Sequence, residues 1–145
     1  MQKFLIVLGI GVVILLQPVL KPGYAQNEIS VDSLPPVVVQ TVPQSGDIAV
    51  NPTLTEIRVT FSKPMMTEQM WSWVMLSPET FPGITGDIRY LEDGRTCVAP
   101  VRLEPGRTYA VWINSQDYRS FRDQNNHPAV PYLLVFRTRE AFNEE

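Results

Sequence analysis

One histidine and one cysteine, His127 and Cys97, are the residues from which this chain could build a thiolate–imidazole couple. In such a couple the imidazole takes the thiol proton, because the thiolate is the nucleophile. The position of Cys97 argues against it. In the run Thr96 to Leu103 it shares a strand face with Ala99, Val101 and Leu103, and a lone cysteine in that setting is a small buried hydrophobe. Glu92 and Asp93 are carboxylates of the kind that glycoside hydrolysis needs, but they are adjacent and precede Gly94 in a tight turn. That composition reads as a solvated hairpin tip. Asp117, Asp123, Asn125 and Asn126 could supply oxygen ligands to calcium. They lack the EF-hand spacing, and turn formation by Asp and Asn accounts for them as well. Met65 and Met66 are core fillers by default. No zinc-spaced cluster, phosphate-binding glycine loop or Gly-x-Ser-x-Gly elbow is present. The expectation is a protein without catalytic residues, metal or cofactor.

The elements that would position these residues occupy only part of the 145-residue chain. Lys3 gives a positive start, Phe4 to Leu16 is an uninterrupted apolar run, and Pro18, Pro22 and Gly23 break any helix before the small residues Gly23 and Ala25. This is the layout of a secretory signal peptide over residues 1–25, cleaved after Ala25. The rival is an uncleaved anchor, but a bilayer needs about 20 apolar residues, and this run is shorter and ends at a proline. Cys97 is far from the cleavage site, which leaves no cysteine there for lipid attachment. About 120 residues remain, enough for one domain with one core. The net charge is −3, and Lys3 and Lys21 leave with the signal, so the exported part is more acidic still. With no basic cluster, this balance argues against nucleic acid and anionic membranes as partners. A single cysteine makes no internal disulfide, so the fold must rest on packing.

Residues 26–34 are polar and unpatterned and read as a flexible leader. The run Pro35 to Pro43 is a β-branched edge strand between prolines. In Thr53 to Phe61, Ile57, Val59 and Phe61 alternate with Glu56, Arg58 and Thr60. Met70 to Leu76 is also β-like, and two runs flank Glu92-Asp93-Gly94 as a hairpin. In Leu103 to Asn114 a Pro-Gly pair precedes Tyr109, Val111 and Ile113, which alternate with Ala110, Trp112 and Asn114. A loop from Ser115 to Val130 leads to the last strand, Pro131 to Thr138. About seven short strands at this spacing predict an all-β sandwich over residues 35–139, with 140–145 as a tail. The best candidate for a helical turn is Met65 to Met70.

Three segments together resemble the SbsA-type bacterial Ig-like domain. The stretch from Pro35 to Met65, ending "FSKPM", is similar to that family's opening; "LEPGRTYAVWI" is similar to its Leu-x-Pro-Gly-x-x-Tyr hairpin. "DQNNHP" (Asp123 to Pro128) and "VFRT" are similar to its Asp-x-x-Gly-Asn-Pro loop and its closing Phe-x-Thr strand. Asn126 stands where the family prefers glycine, and Asn tolerates the left-handed conformation best after glycine. The resemblance implies an Ig-like or fibronectin type III-like sandwich. It also implies a structural corner of Leu103, Pro105, Gly106 and Tyr109, in which the tyrosine hydroxyl bonds to backbone a few residues upstream.

If Tyr109 faces inward, strand parity turns Trp112 outward. On the last strand Tyr132, Leu134 and Phe136 share one face, which leaves Leu133 and Val135 beside Trp112 on the other. An apolar outer face with a tryptophan marks an interface unless the leader or the loop with Tyr118 and Phe121 folds over it. The expected binding surface is Trp112, Leu133, Val135 and Asn114. The function expected is non-catalytic binding at the bacterial cell envelope or exterior. Its partner would be an envelope or extracellular protein, or a polysaccharide stacked on Trp112 and flanked by Asn114 and Gln116. A small exported enzyme or enzyme inhibitor is the alternative of another class. The exported protein should begin at Gln26, which intact-mass measurement checks; a full-length chain retained in the membrane fraction would contradict it.

Overall fold

The computed structural model describes residues 28–141, so the signal-like segment and its cleavage site lie outside the described residues. Eight strands follow one another: β1 (Val38–Val42), β2 (Glu56–Phe61), β3 (Trp73–Met75), β4 (Gly83–Ile84), β5 (Arg89–Tyr90), β6 (Thr96–Arg102), β7 (Thr108–Ile113) and β8 (Tyr132–Arg137). Seven of them answer to the runs read from sequence. The two-residue β4 is too short to show any alternation. Residues 65–70 form no helix, and no helix among the described residues is long and apolar enough to cross a membrane.

All strand pairs are antiparallel and make two sheets. In the first, β1, β2 and β6 lie side by side, with β4 and β5 both on the far edge of β6. In the second the order is β3-β7-β8. After β1 the chain crosses from the first sheet to the second. The Gly46 N–H donates to Val135 O at 2.7 Å, Arg137 donates to Asp47 O at 2.8 Å and Val50 donates to Arg137 O at 3.1 Å. Val50 thereby pairs parallel with Thr138 and extends the second sheet beyond β8.

Alternation decides what the sheets bury between them. Ile57, Val59 and Phe61 from β2, Cys97, Ala99 and Val101 from β6, and Tyr109, Val111 and Ile113 from β7 are all at most 3% exposed. With Leu134 and Phe136 they form two core clusters, and Trp73 packs against both. Trp73 is thus the core tryptophan of its strand. Phe121 enters from the 115–130 loop, its ring 5.0 Å from Phe61 and 5.8 Å from Trp73. Each such side chain contributes about 1.5–3 kcal/mol when fully buried.

The core is closed at one end by a buried ion pair. Lys63 and Asp123 lie 2.6 Å apart with side chains only 6% and 2% exposed. Burial is tolerated because the remaining hydrogen-bonding capacity is met. Asp123 Oδ1 accepts the N–H groups of Asn125 (3.0 Å) and His127 (2.8 Å), while Oδ2 faces Lys63 and His127 Nδ1. Burial alone would raise the Asp123 carboxyl, but Lys63 and His127 together hold it below its ordinary value. The Lys63 ammonium also donates to the carbonyls of Val31 (2.9 Å), Asp32 (3.2 Å) and Leu34 (2.6 Å). Within the segment read as a flexible leader, the carbonyls of Val31, Asp32 and Leu34 are thus bonded to a buried cation whose need for acceptors no polarity pattern reveals. Asn126, at φ +68, takes the left-handed conformation that lets the 123–128 loop close.

The opposite end is closed by the β6–β7 corner. Tyr109 is 2% exposed, and its hydroxyl accepts the Glu104 N–H at 2.7 Å. Gly106, at φ +65, makes the turn after Pro105 and donates its N–H to Arg139 O at 2.9 Å. Thr138, 1% exposed, donates its hydroxyl to Glu104 O (2.6 Å) and accepts the Arg107 N–H (2.9 Å). The Tyr109 ring stacks on Phe136 with centroids 5.4 Å apart.

Two measurements check these joints. Asp123→Asn should cost about 3–5 kcal/mol of folding stability by leaving Lys63 buried without its counter-charge. Because the folded carboxyl titrates below the unfolded one, the Asp123 contribution should be present above about pH 4 and lost as pH falls through the folded value. Denaturant midpoints of wild type and variant should converge in that acidic range. Tyr109→Phe, which leaves the Glu104 N–H unpaired, should cost about 1–3 kcal/mol, read from the same midpoints.

Candidate functional site

Apart from the Thr108–Arg137 pair at the corner end, the outward residues of the second sheet are apolar on all three strands. Val74 of β3 lies opposite Trp112 of β7, which lies opposite Leu133 of β8; Ala110 lies opposite Val135. Residues directly opposed in antiparallel strands share a face, so these five side chains form one patch. Val74, Trp112, Leu133 and Val135 are half-buried, and Ala110 is 4% exposed. Neither segment that could have covered the patch is spent on it. Leader carbonyls are bonded to Lys63, and Phe121 is inside the core. Tyr118 stays 62% exposed.

The first sheet presents the contrary surface. Glu56, Arg58 and Thr60 alternate outward on β2, and Glu56 pairs with both Arg58 and Arg89. Arg58 above all, and then Arg89, hold the Glu56 carboxyl below its ordinary value against a smaller effect of burial. Thr60 and Thr96 hydroxyls meet at 3.0 Å. The first face is ion-paired through its middle, whereas on the second the one outward ion pair among the described residues, Arg137 with Glu140, lies at the corner end.

Asn114 does not belong to the outer patch. It is fully buried, at φ +57, and the left-handed turn at the end of β7 swings its side chain inward. There its Oδ1 accepts the Phe121 N–H (3.0 Å), while Nδ2 donates to the carbonyls of Phe121 (2.9 Å) and Ala129 (3.0 Å). Strand parity was extended one residue too far: Asn114 anchors the 115–130 loop and flanks no sugar site at Trp112. The corner residues Leu103, Pro105, Gly106 and Tyr109 occupy the closed end described above, remote in role from any ligand chemistry.

The groups that could have done chemistry are engaged otherwise. Cys97 is fully buried, and burial pushes its thiol up to about 12, beyond what Trp73 and the Val98 amide pull it down. A thiol in that state is a poor nucleophile. The Trp73 Nε1–H beside it makes no hydrogen bond of ordinary geometry. His127 is bonded to Asp123. Asp93 serves its own turn, accepting the N–H groups of Arg95 and Thr96 and the Thr96 hydroxyl at 2.6 Å, and the Thr96 bond leads in lowering its carboxyl. Both oxygens of Asp123 face donors, which leaves that carboxylate no free lone-pair direction suited to a cation. Asp117 and Asn125 remain exposed loop residues.

The match to a protein-family model agrees with the architecture. No match was found among curated proteins. A solved structure, the S-layer protein rSbsC(31-844), is similar at 20% identity over 77% of this chain and 14% of that chain, with a TM-score of 0.47. The chain therefore spans about a seventh of that protein's length. Residues 32–138, from the clasped leader to the buried threonine at the end of β8, match the bacterial Ig-like domain family, and the chain belongs to it.

Proposed function

We propose that this bacterial Ig-like domain is a non-catalytic module of the cell envelope or exterior that works by protein–protein contact through the outer face of β3-β7-β8. The observation that carries the reading is the asymmetry of the two sheets. A sheet exposed to water on its outer side alternates apolar with polar residues, as β2 does. The second sheet instead sets Val74, Ala110, Trp112, Leu133 and Val135 together on its outer side, with the polar pair Thr108 and Arg137 only at the corner end. A contiguous apolar patch centred on a tryptophan is the composition of an interface core. The signal-like segment supports export, and the engaged state of Cys97, His127, Asp93 and Asp123 supports a role without catalysis.

Replacing Trp112 by alanine tests the reading. Because the residue is only half-buried, the change should cost less folding stability than the about 3–5 kcal/mol of a core Trp→Ala. It should weaken capture of envelope proteins by the immobilised protein by about 2 kcal/mol or more. Undiminished capture by a folded Trp112→Ala protein would place the interface elsewhere.

A further inference from the structure

We propose that the cleft lined by Trp71 is a binding site for a neutral saccharide chain. Stacking of a sugar needs an aromatic ring in polar company, whereas a protein contact needs contiguous apolar surface. The Trp112 patch is of the second kind; Trp71 borders an apolar hollow with Trp73, Val74 and Phe81 on one side and, on the other, a cleft whose rim is polar, which is of the first kind. An open cleft of about 1480 Å³ runs past Trp71 and Tyr90 and is walled by Glu68, Gln69, Asp87, Glu92 and Gln124. Trp71 packs in part against the core cluster that holds Phe61 and Phe121, which fixes the ring, and its remaining surface lines the cleft. The Tyr90 hydroxyl is spent on Met70 O at 3.0 Å, so Tyr90 offers its ring alone.

The polar walls are unspent. The side chains of Glu68, Gln69, Asp87, Glu92 and Gln124 are exposed and have no hydrogen-bond or ion-pair partner among the described residues. Amide and carboxylate groups so placed can meet sugar hydroxyls as donors and acceptors. Their charge selects the ligand. Arg89, a cation on this wall, is held by Glu56 at 3.3 Å, and the unpaired carboxylates repel a polyanion. A neutral saccharide is thereby favoured over an acidic one.

Gln69 adds an independent observation. It has φ +54, in a region where Asn114 and Asn126 are residues of the tolerant type and glutamine is not. Neither Asn-type tolerance nor a hydrogen bond of its side chain accounts for it, and the conformation holds Gln69 on the cleft wall.

The test is calorimetric titration of the exported protein with four probes: cellotetraose, tetra-N-acetylchitotetraose, an oligogalacturonate and tetralysine. At least one of the two neutral sugars should saturate the protein, and the oligogalacturonate should not. Trp71→Ala should weaken the sugar about tenfold or more. Gln69→Ala removes only an exposed amide, spares the fold and should weaken the sugar about threefold. Trp112→Ala should leave sugar binding unchanged, so the cleft and the protein-contact face succeed or fail separately. Failure of both neutral sugars overturns the proposal. So does binding of tetralysine in their place, which would give the cleft to a basic peptide, or sugar binding undiminished in both Trp71→Ala and Gln69→Ala.

Discussion

The ion pair of Lys63 and Asp123 is the constraint on which the rest of this domain depends. Two charges withdrawn from water cost more than their attraction returns unless every remaining donor and acceptor is met. Here they are met by two other parts of the chain, the carbonyls of Val31, Asp32 and Leu34 and the 123–128 loop through Asn125 and His127, which the pair ties to the turn after β2 that carries Lys63. Each part is short and irregular and has little apolar area of its own. What orders them is the shared need to satisfy one ammonium and one carboxylate. Met65 pairs with Asp123, and Met66 donates to Arg122 O at 2.8 Å, so the pair also fixes where the chain leaves the core after β2.

At the far end the same logic runs without charge. Thr138 and the Tyr109 hydroxyl take up the backbone groups that the turn at Gly106 would leave unpaired, and aromatic stacking of Tyr109 on Phe136 supplies the burial. The apolar clusters fill the space between the two closures. With both ends closed by polar groups that face inward, the outer surfaces of the sheets are free of structural duty. That freedom permits one face to be ion-paired through its middle and the other apolar there, with its polar pair kept to the corner end.

The fold was legible because its signals are local. Alternation in Glu56–Phe61, Thr96–Leu103 and Thr108–Ile113 reads directly as a buried face, and turn chemistry at Gly94 and Gly106 separates the runs. The attachment of the leader was not legible because it runs to a lysine some thirty residues away, and nothing in Val31 to Leu34 encodes it. Asn114 was misplaced for a related reason. Parity holds only while the backbone stays extended, and the left-handed residue at the end of β7 ends it. The signal that could have found it is the residue type itself, since asparagine closing an apolar strand is suited to a left-handed turn. Trp71 carried no readable role beside Trp73. Its polar surroundings are assembled from residues 68–69, 87–92 and 124, which become neighbours only when β5 pairs with β6 and the 123–128 loop docks on Lys63.

The parallel run of residues 46–50 beside β8 has a mechanical consequence. The chain reaches this segment from β1, whose start lies at the Lys63 end of the sandwich, and leaves past β8 at the opposite end. Tension drawn through the domain would pull the two segments past each other along their length. The bonds from Gly46 to Val135, from Arg137 to Asp47, from Val50 to Arg137 and from Arg139 to Val50 would then bear the load side by side, in shear, instead of opening one after another like a zip. Bonds loaded together in this way must break together, so the segment beside β8 would be the part of the domain that resists extension along the chain.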